Sequence, residues 1–142
     1  MYVRTAGQTD LPGLYELCCA SAGRKLQQDV FAQIFKAVCA DSQRRLVVAV
    51  EDEQIVGYAD LQIQVLLSDC APAAVLSEFY VAQPYRGTGV GTGMLIALTG
   101  QARAVGCTRL LANCSRVNLK SQAFLDRHGF VRVQHRYEKA LR

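Results

Sequence analysis

No apolar run in this sequence approaches the roughly 18 residues that a membrane-crossing helix needs. The opening stretch, "MYVRTAGQTD", also lacks the apolar core of a secretion signal. A soluble cytoplasmic protein with no membrane partner is therefore expected. Histidine is scarce, with only His128 and His135. The six cysteines, at 18, 19, 39, 70, 107 and 114, form no C-x-x-C pair. No metal-ligand spacing results, and no metal is expected. An even cysteine count permits disulfides, but without an export signal the thiols are expected to be reduced, mostly as small core residues. Repeats, low-complexity segments and interdomain linkers are also missing.

What is present is a chain of 142 residues, 51% hydrophobic and 20% charged. That is enough apolar material for one packed domain, expected to span residues 1–142. The net charge of +4 conceals an asymmetry. Residues 1–85 hold six basic and ten acidic groups, whereas residues 86–142 hold ten basic and two acidic. A basic half suits an anionic ligand. The basic residues are scattered and no nucleic-acid module is recognisable, so nucleic acid is not the expected partner.

Periodicity places a short strand at Tyr2–Arg4. Asp10 stands where it would cap a helix beginning near Leu11 and Pro12, with Leu14, Leu17 and Cys18 as its apolar stripe. A second helix is predicted over Gln27–Cys39, with Val30, Ile34 and Val38 on one face. The run "RLVVAVEDEQIVGYADLQIQVLL" reads as a hairpin around Glu51–Gln54. "SDCAPA" breaks the chain, and "AVLSEFYV" is a further strand. A helix follows from about Gly91 to Val105, with Leu95, Leu98, Ala102 and Val105 at helical spacing and Gly106 ending it. "TRLLANC" is a strand, Asn118 can cap a helix over Leu119–Arg127, and "FVRVQHRYEKAL" is predicted to form closing strands. Strand, loop, helix and strand from Ala74 to Asn113 make a crossover unit, hence a parallel pair within a mixed sheet.

The segment "QPYRGTGVGTGML" joins that strand to that helix and carries Gly87, Gly89, Gly91 and Gly93. Backbone N–H groups at a helix N-terminus attract anions, and glycine lets them approach. A Walker loop requires G-x-x-x-x-G-K-[ST]; the sixth residue from Gly87 is Thr92, and no lysine follows. A dinucleotide loop requires G-x-G-x-x-G. Its third glycine would fall on Thr92, Met94 or Ile96 in the three possible registers.

The remaining pattern resembles the coenzyme A loop of the GNAT superfamily of N-acetyltransferases, (Q/R)-x-x-G-x-(G/A), with Arg86, Gly89 and Gly91 in the fixed positions. "NLKSQAFLDRHGF" resembles the superfamily's later motif through Asn118, Ser121, Phe124, Gly129 and Phe130. "VRTAGQTDLPGLYEL" is similar to its opening strand and helix. The ending "HRYEKAL" resembles small bacterial members that include the aminoalkylphosphonate N-acetyltransferases. Those usually carry a histidine-rich segment before the cofactor strand, whereas "LQIQVLLSDCAPAAV" has none.

The resemblance implies an α+β fold: a mixed, mostly antiparallel sheet with a splayed parallel pair at the cofactor slot and about four flanking helices. It implies acetyl-CoA as donor and the primary amine of a small molecule as acceptor. A protein N-terminal or lysine acetyltransferase is the alternative, and a non-catalytic acyl-CoA-binding domain a further one. The pyrophosphate is expected on the backbone of Gly87, Thr88, Gly89, Val90, Gly91 and Thr92, with Arg86 holding the loop or neutralising charge. The pantetheine arm is expected to pair with Phe79, Tyr80 and Val81. Asn118 is expected either to contact the cofactor or only to cap its helix, and Phe124 to pack beside the cofactor channel. The acceptor pocket would lie among residues 11–45. A homodimer is a family-level expectation.

Acetyl transfer needs a neutral amine, so a general base is useful. Glu78, the one carboxylate in its strand, is the candidate; the alternative is an ion-paired or solvated strand residue. Alternation puts Ser77 with Phe79 and Val81 on one face, and Glu78 with Tyr80 on the other. A bulge would change that phase. Ser77 and Tyr80 are lesser candidates. Many relatives carry a tyrosine after Phe124 as general acid; here the residue is Leu125. Tyr80, Cys114 or a water would have to replace it, or the thiolate leaves unassisted. His128 reads as a surface histidine at a helix C-terminus.

Overall fold

A computed structural model describes all residues from Met1 to Arg142. The chain divides into two compact units, Met1–Ala112 and Asn113–Arg142.

The first unit is built on a five-stranded sheet in sequential order, β1 (Tyr2–Thr5), β2 (Arg44–Glu51), β3 (Gln54–Leu66), β4 (Ala71–Val81) and β5 (Leu110–Ala112). The first four strands are antiparallel neighbours, and β4 and β5 are parallel. The β2–β3 hairpin turns on Asp52 and Glu53, both with positive φ, as a two-residue turn that follows strand twist requires. Helices α1 (Leu11–Ala22) and α2 (Gln28–Ala40) connect β1 to β2, and α3 (Val90–Ala104) connects β4 to β5.

Strand alternation assigns the two faces. Leu46, Val48, Tyr58, Asp60, Glu78 and Tyr80 occupy one face through the pairs Leu46–Asp60, Val48–Tyr58, Tyr58–Tyr80 and Asp60–Glu78. Leu14 and Leu17 of α1 and Phe35 of α2 pack there. The other face carries Val47, Ala59 and Leu61, and α3 lies against the sheet with Val90, Met94, Leu95, Leu98 and Ala102 buried.

Several expectations change. The buried edge of α2 is Phe35, with Phe31 and Val38 half-buried, whereas Val30 and Ile34 are exposed. Residues 31, 35 and 38 share the helical spacing of 30, 34 and 38, and the larger aromatic area goes inward. Val105 falls just past α3 and is exposed. None of the six cysteines is fully buried, none is bridged, and Cys39 and Cys70 are exposed. Strand β5 is only three residues long.

The second unit contains α4 (Leu119–Arg127). Asn118 caps it as expected, its Oδ1 accepting from the Ser121 N–H at 3.1 Å. The closing strands are absent: Phe130–Arg142 has neither helix nor strand, and Val131, Val133, Tyr137 and Leu141 are exposed. Apolar alternation makes a strand only when a neighbouring strand takes up its hydrogen bonds, and this unit contains none.

Asp10 also departs from its expected role. It stands before α1, but its side chain makes no cap hydrogen bond to the helix. Instead both carboxylate oxygens accept from Arg4, at 2.7 and 2.8 Å, and Oδ2 accepts from the Gly7 N–H at 2.7 Å. The Arg4 guanidinium therefore holds the Asp10 carboxyl below its usual range, against the opposing effect of burial. A depressed carboxylate pKa stabilises the fold above the unfolded value of about 3.9, and that contribution disappears as pH falls through the folded value. Asp10→Asn is expected to cost about 2 kcal/mol at pH 7. In urea titrations the gap from the wild type should close below about pH 4; a gap that persists there contradicts this role.

Candidate functional site

The sheet places Glu78 through an irregularity in β4. Asp60 pairs with Glu78 and Leu61 with Leu76, so Ser77 is an extra residue without an opposite number on β3. Such a bulge reverses the phase of everything beyond it. Leu76 lies on the face of Leu61, while Glu78 and Tyr80 lie on the face of Asp60 and Tyr58. The Ser77 hydroxyl lies 3.4 Å from the Asp60 carbonyl.

Pairing of β4 with β5 stops at Leu76 and Ala112, whereas β4 continues to Val81. Tyr80 pairs with Tyr58, and the Ala82 N–H donates to Val56 on β3 at 2.8 Å. Alternation thus turns the backbone groups of Phe79 and Val81 toward the β5 side. The Val81 carbonyl already accepts from Arg86 Nε at 2.9 Å.

After β4, a 3-10 turn at Gln83–Tyr85 leads into the glycine loop. Gly87 and Gly89 have φ of 77° and 94°, and Gly89 is the residue before α3. These are left-handed conformations that side chains resist. A Cβ at either position would meet nothing within 4 Å, so the backbone borders open space. Thr88 Oγ1 donates to the Tyr85 carbonyl at 2.5 Å. The Arg86 guanidinium lies 5.2 Å from the Tyr80 ring centroid, a cation–π distance. Arg86 therefore ties the loop to β4. The first turn of α3 presents the helix N-terminus, where partial positive charge gathers.

On the opposite face of the sheet from α3, a cavity of about 70 Å³ lies between α1, α2 and the strands. Its apolar wall includes Leu14, Phe31, Phe35 and Val38, and Tyr58, Asp60 and Glu78 supply its polar groups. The Tyr58 hydroxyl donates to Glu78 Oε1 at 3.1 Å. Burial above all, then the neighbouring Cys18 and Glu78, raises the Tyr58 pKa, so this hydroxyl keeps its proton. Burial likewise raises the Cys18 thiol. Asp60 is buried and forms a fork with Arg44, which reaches Oδ1 through Nε at 3.2 Å and Oδ2 through its terminal nitrogen. Glu78 is exposed and belongs to no ion pair. A wider, open depression at Lys25–Asp29 borders the α1–α2 connection.

The second unit holds the other sequence candidates. Asn118 serves as a cap. Phe124 and Leu125 are half-buried on α4, and His128 stands at the helix C-terminus as expected, half-exposed, its ring centroid 4.4 Å from that of Phe124 with the planes tilted by 47°. The Cys114 thiol lies 3.8 Å from the Asn118 carbonyl. Tyr58, Asp60 and Arg44 join the site without being among the residues expected from sequence. Asp60 had a usable signal: it is the one charged residue in the thirteen of β3.

The profile of the Acetyltransferase (GNAT) family matches residues 11–130. The chain belongs to the GNAT acetyltransferase family. It is accordingly an enzyme, an N-acetyltransferase. Among its relatives is an aminoalkylphosphonate N-acetyltransferase of Salmonella typhimurium, 27% identical over 98% of this chain and 90% of the relative. A protein of known structure from Agrobacterium tumefaciens is 25% identical, with a TM-score of 0.89 over 99% of each chain. An aminoglycoside 6'-N-acetyltransferase from Acinetobacter haemolyticus, 19% identical, shares the GNAT fold with a TM-score of 0.83 over 100% of this chain and 99% of that one. The mixed sheet, its splayed parallel pair and the four helices are those of the GNAT fold. No helix is long and apolar enough to cross a membrane.

Proposed function

We propose that this GNAT enzyme moves the acetyl group of acetyl-CoA to the primary amine of a small molecule, with Glu78 as general base. The observation that carries the reading is the phase reversal at Ser77, which turns Glu78 into the cavity beneath α1 and α2.

The donor fits the residues present. Gly87 and Gly89 border open space beside the first turn of α3, the arrangement that accepts a pyrophosphate. Residues Gly87 to Thr92 would hold it, with Arg86 fastening the loop. The backbone of Phe79, Tyr80 and Val81 lies where β4 has parted from β5, the place for an extended amide-bearing arm. Arg86 already occupies the Val81 carbonyl, so the arm would have to share or displace that contact. Acetyl-CoA supplies an acetyl group activated as a thioester.

The chain's own contribution lies on the acceptor side. An alkylammonium must lose a proton before its nitrogen can attack. Glu78 is exposed to the cavity and can take that proton, while Tyr58 fixes the carboxylate through its hydrogen bond. Transfer then forms one C–N bond and breaks one C–S bond, with the electron pair leaving on sulfur. A thiol pKa of about 8.5 lets that sulfur depart without an acid, which accommodates Leu125. Tyr80 lies on the Glu78 face and is the side chain in this segment that could donate instead.

Two variants test the two halves. Glu78→Gln is expected to lower kcat by about 100-fold at pH 7, with CoA affinity unchanged. The deficit should shrink as pH nears the amine's own pKa; an unchanged pH–rate profile rules Glu78 out. Gly89→Glu is expected to abolish CoA binding in calorimetry, because a side chain at this φ is strained and its charge repels phosphate. Undiminished affinity contradicts the loop assignment. CoA binding without thiol release on any amine or peptide would favour the acyl-CoA-binding alternative, and turnover on peptides alone the protein-acetylating one.

A further inference from the structure

The acceptor cavity has a chemical character of its own. Its wall is apolar, contributed by Leu14, Phe31, Phe35 and Val38, with the exposed Ile34 at its rim. Two carboxylates, Asp60 and Glu78, line it, and no lysine or arginine does. The cation paired to this site, Arg44, is committed in a two-point fork to Asp60. Glu78 is left as the uncompensated charge. Tyr58 and Cys18, both pushed upward by burial, remain neutral and add none.

We infer that the acceptor is a primary amine on a compact apolar body that carries no anionic group and no second cation. This inference rests on the acetyl-transfer reading of the same cavity. The ammonium end is attracted to Glu78, and the body fills the apolar wall. A phosphonate or carboxylate on the substrate would meet two carboxylates and no uncommitted cation, losing its hydration without a partner. The second ammonium of a diamine would be stranded among Phe31, Phe35 and Val38. The pocket is small, about 70 Å³, and open on the side of Ile34, so a bulky acceptor would extend past that rim. The Salmonella typhimurium relative is named for aminoalkylphosphonates, so the inference separates this enzyme from that relative on substrate.

Thiol release with isopentylamine, 2-aminoethylphosphonate and putrescine tests the class. The kcat/KM for isopentylamine should exceed the other two by at least about 100-fold, consistent with the cost of an unpaired buried charge. A preference for the phosphonate or the diamine overturns the inference and leaves acetyl transfer standing. Ile34→Arg, at an exposed rim position, should lower kcat/KM for isopentylamine tenfold or more while CoA affinity stays constant; an unchanged value overturns the inference. A titration read by methyl NMR without CoA is independent of turnover. Isopentylamine, and not 2-aminoethylphosphonate, should shift the Leu14 and Val38 methyl resonances. Should no amine be acetylated, that shift would uphold the cavity's selectivity while the transfer reading fails; no shift would overturn the selectivity itself.

Discussion

A β-strand shows alternate residues to alternate faces, and β4 must serve both. Between Ala71 and Leu76 it contributes Ala74 and Leu76 to the α3 side and pairs with β5 in parallel. Beyond Ser77 it must offer a carboxylate to the opposite face while its outer edge comes away from β5. One unpaired residue does both. The bulge reverses the phase, so Glu78 joins Asp60 and Tyr58 under α1 and α2. It also adds the local bend and twist that bulged strands show, at the point where the β5 pairing ends. Without it, Leu76 and Glu78 would share a face, and either a leucine would enter the cavity or a carboxylate would lie beneath α3.

The two halves of the site are linked through the residues that follow. Val81 ends the strand, and its carbonyl holds Arg86, whose guanidinium also lies over Tyr80. The glycine loop is thereby fastened to the strand that presents Glu78. Gly87 and Gly89 then allow the left-handed turns that deliver the chain to the first turn of α3. On the far side, Tyr58 is the shared element: its ring belongs to the core with Leu14, Phe35 and Val48, and its hydroxyl reaches Glu78. The Glu78 carboxylate is thus held by a side chain whose position is set by packing.

The features readable from residues alone were those with local chemical signatures. The glycine spacing, the missing lysine and the Asn118 cap depend on a few adjacent residues, and the helices and central strands on regular periodicity. The bulge has no such signature, because Ser77 is ordinary for a strand and its irregularity exists only relative to β3. Pairing defeated other readings for the same reason. Asp10 lies where a cap belongs, yet Arg4 on β1 claims its carboxylate. Val131 and Val133 alternate as strand residues do, but find no strand beside them in their unit. In α2, Val30–Ile34–Val38 and Phe31–Phe35–Val38 are equally periodic, and only the sheet beneath chooses between them. Asp60 was visible as a lone charge in an apolar strand, although its partner Arg44 becomes apparent only once β2 and β3 are in register.

If the Ser77 irregularity brings base and acceptor together on the α1–α2 face, a crystal structure with CoA and isopentylamine will hold the amine nitrogen within hydrogen-bond reach of Glu78 in the cavity beneath α1 and α2, with the pyrophosphate at the first turn of α3. An amine bound away from Glu78, or a β4 that runs past Ser77 without changing phase, would contradict this.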